Sequence, residues 1–129
     1  MDIKNETYDG DIINKAGTTI YDDNTRYLTP ILKVTPYRTG SFRLNVKFYA
    51  NGSLSTGSDS PTGYTYQSNI YLNENLETQT IELTGWGGDS PGHWSKGGYR
   101  IEVWWEDAKL FTKTFNIYSG FWHNLGIVV

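Results

Sequence analysis

Two histidines, His93 and His123, are the only imidazoles in the 129-residue chain. An imidazole is the usual general base at neutral pH, so their neighbours decide whether acid–base or nucleophilic chemistry is available. His93 lies close to Asp89 and Ser90. A serine, a histidine and an aspartate so near in one loop do not reach the line of contacts that a relay needs. His93 therefore reads as a solvent-facing loop histidine, and His123, beside Trp122, as part of the packing of the C-terminal segment. Asp22, Asp23, Asp59 and Asp89 offer oxygen ligands. Calcium takes about six to eight oxygens, and no Asp-x-Asp-x-Asp-Gly loop gathers them. Glu102 and Glu106 lie about 13 Å apart on an extended strand, beyond the usual separation of an acid/base pair. They read as solvated strand charges. The glycines of Gly85-Trp86-Gly87-Gly88 and Gly97-Gly98 lack the helix and lysine of a phosphate loop. With no cysteine there is neither a disulfide nor a thiolate metal site. The residues thus point to no enzyme, no metal and no cofactor.

Aromatic side chains remain, and their chemistry is binding. The chain has five Trp, ten Tyr and five Phe. Trp86 and Trp94 fall in a glycine-rich loop, and strand alternation places Trp104 and Tyr49 on outward faces. Exposed rings of this kind stack on sugars or anchor a protein partner. The competing reading has Trp86 and Trp94 fold back to plug the end of the domain, with Trp105 in the core. The formal net charge is −3 and the basic residues are scattered. No basic patch for nucleic acid follows. No stretch approaches the roughly 20 apolar residues of a membrane-spanning helix. The polar start, Met1-Asp2-Ile3-Lys4-Asn5-Glu6, is not a secretory signal, which leaves a cytosolic chain or a secreted one whose leader is gone.

The elements that must position these groups are strands. A length of 129 residues sets one domain, 1–129. Charged residues are 19% and glycines number fourteen, which favours strands and turns over helices. Residues 1–26 are polar and read as a loosely packed leading arm. Tyr27–Tyr37 puts Leu28, Leu32 and Val34 on one face, and Pro30 and Pro36 mark an edge strand or a strand with unpaired positions. In Ser41–Ala50, Phe42, Leu44, Val46 and Phe48 alternate with polar residues. Asn51-Gly52 then signals a type I′ hairpin turn. Further strands are expected at Tyr64–Leu72, Gln79–Thr84, Tyr99–Trp105 and Leu110–Tyr118, with a long Gly85–Gly98 connection. The core is expected from Leu44, Val46, Phe48, Ile70, Ile81, Leu83, Tyr99, Ile101, Val103, Trp105, Phe115 and Ile117. Segment 119–129 is an apolar tail; Phe121, Trp122, Leu125 and Ile127 are its candidate interface residues, for a final strand or a partner. About seven or eight antiparallel strands with turns every 8–12 residues predict an all-β, immunoglobulin-like β-sandwich. Tyr99, just after Gly98, fits the tyrosine corner of such domains.

Four segments in order carry a resemblance: Tyr27-Leu28-Thr29-Pro30, Gly57–Tyr66, Leu83-Thr84-Gly85-Trp86-Gly87 and Gly98–Trp105. Over residues 8–118 the chain resembles an uncharacterised β-domain of Bacteroidales gut bacteria, often one module of a multidomain protein. Glu106-Asp107-Ala108 departs from the Asn-Gly type of turn usual there. The resemblance implies a β-domain of bacterial origin and brings no catalytic residue or ligand. The expectation is a non-catalytic binding or structural module acting by protein–protein contact or self-association. The alternative is a carbohydrate-binding module using exposed Trp and Tyr.

Overall fold

A computed structural model describes residues 1–8, 12–13, 19–56, 63–88 and 92–120, of which 12–13 are described by backbone alone. The chain is all-β. Strands run in the order β1 (Asp2–Thr7), β2 (Ile12–Ile13), β3 (Ile20–Tyr21), β4 (Thr25–Val34), β5 (Gly40–Ala50), β6 (Ser53–Leu54), β7 (Tyr66–Leu72), β8 (Gln79–Glu82), β9 (Trp86–Gly87), β10 (Gly97–Trp105) and β11 (Ala108–Tyr118). The first sheet has the order β2-β1-β4-β8, with β9 also on β4. The second has the order β3-β11-β10-β5-β6, with β7 also on β5. Pairing is antiparallel except where β3 lies parallel to the end of β11.

Alternation explains the layers. On β5 the residues Leu44, Val46 and Phe48 are buried, and on β10 so are Tyr99, Ile101 and Val103. The register sets Ile101 beside Phe48 and Val103 beside Val46. Leu28 and Leu32 of β4 cover them from the first sheet, and Ile81, Leu83, Ile20 and Ile117 extend the same cluster. Each aliphatic side chain taken fully from water contributes about 1.5–3 kcal/mol.

Three expectations need correction. Eleven strand segments among the described residues exceed the seven or eight expected. Four of them are only two residues long, too short to show a period of their own. The start of the leading arm is not loosely packed: β1 pairs along β4 from Asp2↔Ile31 to Thr7↔Thr25, and Asn5 and Thr7 are buried. β4 is accordingly a central strand and not an edge; of the two readings, the strand with an unpaired position holds. Pro30 is tolerated there because its carbonyl accepts the Leu83 N–H, so its missing N–H points to that same flank. On this flank pairing switches from β9 (Tyr27, Leu28) to β8 (Ile31–Val34). The absent donor falls in the gap between them.

The outer flank of β11 is paired only at Ile117 and Tyr118 among the described residues. Lys113 lies opposite Ile101, between Phe111 and Phe115 in the inward row. An inward-pointing cation on such a flank opposes pairing with another sheet edge.

The two tight turns show how sequence reaches geometry. Asn51 and Gly52 both have positive φ, 50° and 85°, as a type I′ turn requires. In the β10–β11 hairpin Trp105 faces Ala108, and Glu106 holds a φ of 51°. A side chain with a Cβ is disfavoured there. Glu106→Asn should raise stability by about 0.5–1 kcal/mol, read as a higher urea midpoint at unchanged slope.

Candidate functional site

The sequence-selected aromatics divide into two places. Trp104 and Tyr49 stand on the outer face of the second sheet, where alternation put them. Neither ring is open. Lys47 Nζ lies 4.1 Å from the Trp104 ring centroid, and the Arg100 guanidinium carbon lies 4.1 Å from that of Tyr49. Between them sits Glu102. The Trp104 Nε1–H donates to Glu102 Oε1 at 2.9 Å, and Arg100 Nε donates to Oε2 at 2.9 Å, with Lys109 Nζ 3.9 Å away. The solvated reading holds for Glu106, which is exposed, and fails for Glu102, which is only 6% exposed. Its outward neighbours lie over it. Burial pushes the Glu102 carboxyl up, but the hydrogen bonds from Trp104 and Arg100 and the charges of Arg100 and Lys109 outweigh it. The net result is a value below the ordinary one.

Trp86 and Trp94 belong to one closed end of the domain. Trp94 is buried, and its Nε1–H donates to the Arg26 carbonyl at 3.2 Å. Its ring meets Phe48 at 6.0 Å and Tyr99 at 5.7 Å. Tyr99 stacks on Phe115 and donates its hydroxyl to the Ser95 carbonyl at 2.6 Å. Trp86 is half-buried and stacks on Tyr66. Tyr66 donates its phenol to the Thr84 carbonyl, and burial pushes that phenol well above its ordinary value. Gly87 lets β9 lie against β4, since a Cβ there would stand 1.8 Å from the Arg26 carbonyl oxygen. His93 is exposed, with its ring edge-on to Trp86 and Trp94, and desolvation holds its imidazole below the usual value. Asp59, Asp89, Ser90, His123 and the tail residues Phe121, Trp122, Leu125 and Ile127 lie outside the described residues. Among the described residues no group of three metal-ligating side chains gathers.

The opposite end is open, and sequence reasoning missed it. There the β5–β10 ladder stops at Asn45↔Trp104, while β5 stays paired to β7 down to Gly40↔Leu72. The two layers part over a cleft of 460 Å³. Leu32 and Val34 of β4, Phe42 and Leu44 of β5, Ile70 and Leu72 of β7, and Ile81 of β8 line it, with Leu110 and Phe111 of β11. Trp105 was expected in the core and is 39% exposed on the cleft wall, edge-on to Phe42 at 6.0 Å. It keeps the inward side of β10, but its strand ends there and the opposing layer stops short of covering it. Tyr37 and Arg38, from the β4–β5 connection, complete the rim.

Comparison with protein-family models, with curated proteins and with solved structures found no match. The site is therefore argued from its geometry. Its volume and apolar lining, with few polar groups, are those of a binding cleft. Tyr37, Trp105 and Leu110 are three of the large apolar side chains that the described surface exposes, at 91%, 39% and 46%. Apolar side chains gathered on one surface mark contact sites.

The Glu102 cluster makes a separate test of the outer face. Its folded-state value lies below the unfolded one, so its stabilisation is complete above the unfolded value, about 4.3. That stabilisation is lost as pH falls through the folded value. Glu102→Gln should cost about 1–3 kcal/mol at neutral pH. The variant should also lose less stability than the parent between about pH 5 and pH 3, by urea denaturation at both pH values.

Proposed function

We propose that this chain is a non-catalytic binding module, that its site is the apolar cleft at the open end, and that the occupant is an apolar part of a partner protein. One observation carries this reading: Tyr37, Trp105 and Leu110 stay exposed around an apolar cleft, while the aromatics of the other end are packed together. Trp, Tyr and Arg dominate binding hot spots, and Trp105, Tyr37 and Arg38 stand together on this rim. Within this reading the two sheets form an immunoglobulin-like sandwich. The Tyr99 hydroxyl bonded to the Ser95 carbonyl, four residues upstream, supports that comparison. The Bacteroidales resemblance adds that the module works within a longer bacterial protein.

The glycan-binding alternative asks for free ring faces. Trp94 is buried, Trp86 stacks on Tyr66, and Trp104 carries Lys47. Tyr37 and Trp105 are exposed, but they border an apolar cleft with no amide or carboxylate side chain to bond sugar hydroxyls.

An environment-sensitive anilinonaphthalene dye tests the cleft. The full chain should enhance its fluorescence with about one dye per protomer. A Trp105→Ala/Leu110→Glu double variant with an unchanged circular dichroism spectrum should lose the enhancement. No enhancement, or the same enhancement in the double variant, rejects the cleft as the site.

A further inference from the structure

The open end has the parts of a self-complementary surface. A twofold contact uses the same patch on both copies, so that patch must contain both halves of every interaction. Here the hole is the apolar cleft and the knob is Tyr37, 91% exposed on its rim. The charges divide in the same way. Arg38 follows Tyr37 in the chain, and Glu106 and Asp107 follow Trp105 at the hairpin turn. All three are exposed, and none has an ion-pair partner among the described residues. No carboxylate lines the cleft itself.

We infer that two copies of this chain associate end to end about a twofold axis, each Tyr37 entering the other's cleft and each Arg38 facing Glu106 and Asp107 of the other copy. The inference rests on the reading of the cleft as a protein-docking site and names its occupant. An unrelated partner needs only the hole. A second copy also accounts for the protruding tyrosine, for the unpaired Arg38 on the rim and for the unpaired Glu106 and Asp107 next to Trp105 in the chain. Insertion removes Tyr37, Trp105 and Leu110 from water together, and the charged rim sets the orientation.

Sedimentation of the full chain tests this. A reversible dimer is expected, with a Kd of about 1–100 µM. Tyr37→Ala, at a position with little folded-state contact, should weaken it at least about 10-fold. Arg38→Glu and a Glu106→Arg/Asp107→Arg double variant should each be monomeric alone, because each sets like charges face to face. Mixed in equal amounts they should form a heterodimer, because both cross-pairs are then of opposite sign. Dye uptake per protomer should fall as protein concentration passes through the Kd. A monomer up to about 1 mM overturns the inference, as does a mixture that restores nothing. So does a dimer indifferent to Tyr37→Ala but lost on Ile127→Asp, which moves the contact to segment 121–129. Dye uptake by a strict monomer leaves the docking cleft standing and removes the second copy. Absence of both dye uptake and dimer removes both readings.

Discussion

Strand β10 is held on both flanks, by β5 and by β11, and its inward residues must find cover from the other sheet. Ile101 and Val103 are fully buried, and they meet that demand against Leu28 and Leu32, with Phe48 and Val46 beside them on β5. Individual hydrogen bonds contribute about 0.5–1.5 kcal/mol net, while each of these side chains contributes about twice that by leaving water. The backbone ladders therefore dictate direction and register, and apolar burial dictates which faces meet. The central place of β4 follows from the need to cover this one strand.

Two stacked sheets have two ends, and the chain treats them differently. At one, Trp94 turns back under its own loop, hydrogen-bonds to the Arg26 carbonyl and joins Phe48 and Tyr99 in the core. At the other the strands end at different heights. Trp105 reaches past the cover of the opposing layer, and Phe42, Ile70 and Leu72 line a cleft. The difference lies in loop length. The 88–96 connection between β9 and β10 is long enough to carry the Trp94 ring back against the core, whereas β4–β5 and β10–β11 are joined by short turns that leave their rings on the rim.

The outer face of the second sheet obeys electrostatics at close range. Glu102 is covered because Trp104, Arg100 and Lys109 converge on it, and each supplies a hydrogen bond or a positive charge. Trp104 and Tyr49, the two outward rings, are thereby engaged within the sheet, which carries a polar layer above its apolar one.

Much of this was written in the sequence. Alternation in 41–50 and 99–105 and the Asn51-Gly52 turn are properties of near neighbours, and near neighbours suffice to read them. The same local logic put Trp104 and Tyr49 outward, where they stand. It failed wherever a partner comes from far along the chain. Thr65 is buried because its hydroxyl joins the Phe48 N–H to the Ser55 carbonyl, and β1 is ordered because β4 pairs with it. Whether an inward tryptophan is buried depends on how far the opposing sheet extends, and no spacing along one strand contains that length. The sequence by itself therefore determined the long alternating strands, their faces and the Asn51-Gly52 turn, because these depend on backbone preference and a period of two. Only the tertiary structure decided that Trp94 is core while Trp105 walls an open cleft, because burial is settled by what the other layer covers.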